Sequence, residues 1–127
     1  MQMPRDRIPE DLRRFLLTSV SSVPFVEALL LFRERRGVPV ETGDLARRLY
    51  IAEPAAAAIV AELASAHIIQ ATEGGLHRYE PQAELAGMVE LLAAYYRSHL
   101  VEVTDLIHAK TARKAQRFAD AFRWRKD

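Results

Sequence analysis

Four histidines, His67, His77, His99 and His108, are the first residues to weigh, because imidazole changes charge near neutral pH and binds metal ions readily. No two of them stand three or four residues apart, so the helical spacing that lets two imidazoles share a metal is missing. The chain has no cysteine, which excludes disulfides, thiolate metal sites and a cysteine nucleophile. Asp105 and His108 lie one helical turn apart, where a carboxylate can orient an imidazole for acid–base work, although such a surface pair is far more often incidental. His99 falls on an apolar stripe and reads as a hydrogen-bonded core histidine. Gly74-Gly75 lacks the lysine and helix start that a phosphate loop needs, and a tight turn accounts for it. No Ser/His/Asp arrangement is present. The expectation is no enzymatic activity, no metal and no cofactor.

The cations carry more information. Of the 127 residues, 28% are charged and the net charge is only +1, but its distribution is uneven. Residues 1–109 hold 11 Arg and Lys against 15 Asp and Glu, a balance of −4. Residues 110–127 hold Lys110, Arg113, Lys114, Arg117, Arg123, Arg125 and Lys126 against Asp120 and Asp127, a balance of +5. A polyanion contact therefore belongs first to this terminal segment. Phe118, Phe122 and Trp124 are interleaved with its cations. Four readings stay open: packing on the protein's own body, docking in a partner's groove, clamping a nucleic-acid backbone, or lying on an anionic membrane.

These residues need elements to position them. The length favours one domain. Met1 to Pro9 reads as a flexible arm. Glu10 to Val20 places Leu12, Phe15, Leu16 and Val20 at helical spacing. A second helix opens at Pro24, carries Phe25, Ala28, Leu29 and Phe32, and stops at Gly37. Val38-Pro39-Val40 reads as extended. Thr42 can cap a third helix through Tyr50, and Glu53 to Ala66 forms a fourth. The runs Ile68 to Glu73 and Leu76 to Glu80 flank Gly74-Gly75 as a hairpin. Leu29, Leu45, Leu49, Val60, Leu63, Ile69 and Tyr79 should be buried together. From Ala83 to His108 a continuous helix is expected, with a basic amphipathic helix over 109–127. Whether 83–127 is one helix or two stays open.

Leu85, Val89, Leu92, Tyr96, Val103 and Leu106 form a stripe wide enough to bury more than one neighbour, which points to a homodimer interface. No apolar run is long enough to cross a bilayer. The charged Met1 to Val23 does not read as a secretory signal, and a cytoplasmic protein is expected.

The fold class is mainly α with a small β-hairpin. In the order helix, short strand, helix, turn, helix, hairpin, it resembles the winged helix-turn-helix of bacterial transcriptional regulators. The resemblance is carried by Ala28-Leu29-Leu30-Leu31-Phe32, Leu45-Ala46-Arg47-Arg48-Leu49, Ile59-Val60-Ala61-Glu62-Leu63, Ile68-Ile69 and Tyr79. It covers about Phe25 to Pro81. With N-terminal and long C-terminal flanking helices the layout, over 10–108, is similar to MarR-type regulators, which dimerise through such helices. This implies transcription regulation by binding double-stranded DNA, with Arg47, Arg48, His77 and Arg78 nearest the phosphates.

Two departures stand against that implication. Tyr50 occupies a turn position where these domains often carry glycine. The fourth helix turns Glu53, Pro54, Ala55, Ala57, Ala58 and Ala61 outward, and alanine offers base edges no hydrogen bond. The alternative is a winged-helix module that binds a protein partner and does not read DNA through this helix.

Overall fold

The computed structural model describes the backbone of residues 8–126 and the side chains of residues 8–121. The described chain is mainly helical, with a small two-stranded antiparallel sheet. It divides into two compact units, one formed by Pro24–Ala93 and one by the segments before and after it.

In the Pro24–Ala93 unit, α2 (Val23–Glu34) opens with Pro24 in its first turn and buries Phe25, Val26, Ala28, Leu29 and Phe32. α3 (Thr42–Leu49) is preceded by Glu41 at the cap position, with no side-chain cap hydrogen bond. Thr42 is therefore the first helical residue and not the expected cap. α4 (Glu53–Ser65) follows with Pro54 in its first turn. Both helices end in the same motif: the Ile51 N–H donates to Ala46 O at 3.1 Å, and the Ile68 N–H to Leu63 O at 3.0 Å. Each motif puts one residue in the left-handed region, Tyr50 at φ 57° and His67 at φ 63°. Glycine is the usual occupant there, so the chain accepts backbone strain at both turns.

β1 (Ile69–Ala71) and β2 (His77–Tyr79) pair with Ile69 opposite Tyr79 and Ala71 opposite His77. They are shorter than the expected runs because Glu73–Gly75 forms a 3₁₀ turn, with Gly74 and Gly75 at φ 76° and 77°. The expected extended piece attaches to the hairpin: Val40 N–H donates to His77 O at 2.7 Å, and His77 N–H to Val40 O at 3.1 Å. Leu29, Leu45, Val60, Leu63, Ile69 and Tyr79 are buried as expected. Leu49 is only half-buried, since it lies in the last turn of α3, where the chain turns away through Tyr50; Ala46 is buried on that helix instead.

The helix expected to run unbroken from Ala83 to His108 is interrupted at His99, giving α5 (Ala83–Ser98) and α6 (Leu100–Lys126). Ser98 Oγ donates to Ala94 O at 3.2 Å and lies 2.7 Å from His99 Nδ1. Serine bonding back to the carbonyl four residues earlier commonly bends a helix. α6 then passes through Thr111 without a break, so the basic segment is not a separate helix.

In the other unit, α1 (Glu10–Ser19) packs against α6. Glu10 and Asp11 face the positive end of its dipole. Leu12, Leu16 and Val20 are buried here, as are Val103 and Ile107 of α6. The expected arm lies almost wholly outside the described residues.

Candidate functional site

The four residues expected to face DNA sit on α3 and β2. Arg47 is 70% exposed, and its Nη2 lies 3.7 Å from both Glu41 Oε1 and Asp44 Oδ1. Arg48 Nε donates to Asp44 Oδ2 at 3.1 Å, and Arg35 Nη1 lies 3.7 Å from the same oxygen. The Arg48 hydrogen bond, opposed by burial and aided by the fields of Arg48, Arg35 and Arg47, holds Asp44 below the usual carboxylate range. A Cβ placed on Gly43 would lie 3.6 Å from each of Arg47 Nη1, Glu41 Oε1 and Glu53 Oε2. Glu41 and Asp44 thus face Arg47, and Asp44 also takes Arg48.

On the hairpin, Arg78 Nη2 donates to Glu80 Oε1 at 3.1 Å. His77 is half-buried, and its Nδ1 is enclosed without a hydrogen-bond partner. Its backbone joins Val40 to the hairpin. Ala56, Ile59, Val60 and Leu63 of α4 are buried, which leaves Glu53, Pro54, Ala55, Ala57, Ala58, Ala61 and Glu62 outward, as expected. Beside this face stands Tyr50, 95% exposed.

An ion cluster that sequence reasoning missed joins α2 to α5. Arg33 donates to Glu90 through Nε at 2.8 Å and Nη2 at 2.7 Å, and Arg36 Nη2 donates to Glu90 at 3.2 Å. The Arg33 bonds hold the Glu90 carboxyl below its ordinary value, and Glu90 in turn raises Arg33. The partners are more than fifty residues apart, and no local pattern announces such a pair.

The basic segment divides by role. Lys110 Nζ donates to Leu16 O at 3.2 Å, to Leu17 O at 3.1 Å and to Val20 O, closing the carbonyl end of α1. Burial, assisted by Lys114, lowers its pKa. Arg113, Lys114 and Arg117 are exposed. The side chains of Phe122, Arg123, Trp124, Arg125 and Lys126 lie outside the described residues. Phe118 is 70% exposed.

The stripe expected at a homodimer interface is largely consumed within one chain: Val89, Leu92 and Val103 are all 0% exposed. Leu85, Tyr96 and Leu106 are half-buried. His99 is half-buried and tilts against Tyr95 with ring centroids 5.0 Å apart. Asp105 and His108 are both exposed. Among the described residues no group of three or more His, Asp or Glu side chains could hold a metal ion. No single helix among them is long and apolar enough to cross a membrane.

Neither a family model, nor a curated protein, nor a solved structure matches this chain.

Proposed function

We propose that the chain is a cytoplasmic winged-helix regulator whose α3–α4 face docks on a protein instead of reading DNA. The observation that carries this reading is the state of the arginines: Arg47, Arg48 and Arg78 each have a carboxylate of their own surface within 4 Å. Phosphates would have to compete with those carboxylates, and affinity for DNA depends on cations free to displace counterions. Alanines give the centre of α4 a smooth surface that loses no side-chain entropy on contact. Tyr50 adds a rigid amphipathic anchor of the kind that dominates protein interfaces. Its left-handed backbone is a cost to folding, and strain of this sort collects at functional positions. Glu53 and Glu62 at the rim favour a partner helix with an apolar stripe bordered by Lys or Arg. A homodimer completes the reading.

The test is photo-crosslinking in cells from position 57 or 58 of the full chain. A protein adduct is expected, and it should disappear in Tyr50→Gly while the thermal midpoint stays level or rises. Absence of any adduct, or adducts to nucleic acid alone, would overturn the reading. The second reading, a DNA binder held by mainly electrostatic contacts, is favoured by the exposure of Arg47. It requires binding to genomic fragments at moderate salt, with a shallower salt dependence in Arg47→Ala/Arg48→Ala.

A further inference from the structure

Lys110, Arg113, Lys114 and Arg117 recur at intervals of three and four, so they share one face of α6. That face meets the carboxyl end of α1, where the four cations and Leu17 and Thr18 line an open cleft of about 320 Å³. The carbonyl end of a helix is negative and would repel an anion. Here Lys110 covers it, donating to the α1 carbonyls of Leu16 and Leu17 and to that of Val20 just beyond. Arg113 spends only Nε, in a long contact of 3.5 Å to Ala109 O. Lys114 and Arg117 have no hydrogen bond or ion pair among the described residues. Asp120, the acid nearest to them along the helix, accepts instead from Gln116 Nε2 at 3.0 Å.

This arrangement contrasts with the α3 end, where each arginine is matched by a carboxylate. On α6 the pairs 110–113, 110–114, 113–117 and 114–117 are all like-charged at one-turn spacing, and every such pair disfavours the helix. A bound anion removes that repulsion. One carboxylate would leave most of the charge unmatched, whereas a phosphate ester offers two negative charges and several acceptor oxygens to two guanidinium forks. The volume is at the low end of small-ligand pockets, and the α1 wall closes one side against a straight duplex.

We propose that the cleft between α1 and α6 binds a small phosphate ester or diphosphate, ligated by Arg113, Lys114 and Arg117 and positioned by Lys110. The site shares no residue with the α3–α4 face, so it stands whether or not that face docks on protein.

The probe is inorganic pyrophosphate, titrated calorimetrically into the full chain at about 50 mM salt, a Debye length near 14 Å. Saturable binding is expected, weakened at least tenfold in Arg113→Gln/Arg117→Gln and unchanged in Arg47→Ala/Arg48→Ala. The thermal midpoint of the unaltered chain should also rise with pyrophosphate and not with sodium chloride of equal ionic strength, a readout that needs no variant to fold. Absence of binding, or equal binding by the Arg113→Gln/Arg117→Gln variant, overturns the site. Duplex DNA that binds through these arginines without being displaced by pyrophosphate overturns it in favour of a nucleic-acid backbone.

Discussion

Tyr79 carries a hydroxyl enclosed without a hydrogen-bond partner, on a side chain 8% exposed. Burial also raises its pKa, so the group stays neutral across the working range. A buried polar atom left unsatisfied costs about 1–3 kcal/mol. Tyr79→Phe should therefore leave the fold equally stable or stabilise it by about 1 kcal/mol, read from urea denaturation; a loss of 1 kcal/mol would mean the hydroxyl has a partner. Lys110 is the opposite case. Its ammonium is the shared donor for three carbonyls at the end of α1, and hydrogen bonds to charged groups contribute roughly 1.5–3 kcal/mol. Lys110→Met should destabilise by an amount in that range, whereas Lys114→Met should change little. The two lysines look alike in the sequence, because what separates them is a set of backbone carbonyls about ninety residues away. Tyr50 is more legible. Its place after Leu49, where glycine is usual, marks an awkward turn, and the backbone adopts φ 57° there.

Among the elements, α4 was the most readable, since Ala56, Val60 and Leu63 at helical spacing fix which face is inward. Leu63 is 0% exposed, and Leu63→Ala should cost about 2–5 kcal/mol through lost transfer energy and a cavity. An unchanged denaturation midpoint would show the helix is phased otherwise. The join between α5 and α6 was not readable. No proline or glycine stands near His99 to announce the break, and the serine there that bonds back to Ala94 O looks no different in the sequence from Thr104 or Thr111, which do the same inside an unbroken α6. The Arg33–Glu90 clamp was hidden for a different reason: pairing across elements depends on how α2 meets α5, which periodicity does not contain. Its consequence is testable by pH. Glu90 has a folded pKa below its unfolded value, so its contribution is present above about pH 4.3 and fades as pH falls through the folded value. Both partners are partly exposed, which keeps the effect below about 1 kcal/mol. Glu90→Gln should be less stable than the unaltered chain at pH 7, and the gap should narrow steadily as pH falls below about 4.3. A gap that does not change with pH would assign it to packing.

For the molecule as a whole, the proposed homodimer has only part of the apolar stripe to draw on, since Leu85, Tyr96 and Leu106 keep partial exposure. Periodicity shows that a helix has a broad apolar face but not whether its own chain already covers it, and Val89, Leu92 and Val103 prove to be covered. Among the described side chains, what α6 turns outward is thinner: Leu100 at 49%, Val101 at 68% and Phe118 at 70% exposure. Every side chain from Thr111 to Ala121 is exposed. A helix segment with so little of its surface buried is marginal in water, so this half of α6 gains most from a second copy. The area is nonetheless small beside the roughly 1,200–2,000 Å² of a stable interface, and the cations of Arg113, Lys114 and Arg117 repel their counterparts in the other copy. The dimer should therefore be weak. Light scattering should give a mass that climbs from 14.4 kDa toward twice that value between about 1 and 100 μM, since association follows concentration. The climb should steepen at high salt, where the repulsion is screened. Val101→Asp/Phe118→Asp should abolish it without lowering the thermal midpoint, because both side chains are exposed in the single chain. A mass that stays at one chain up to 100 μM at both low and high salt would remove the dimer from the proposal.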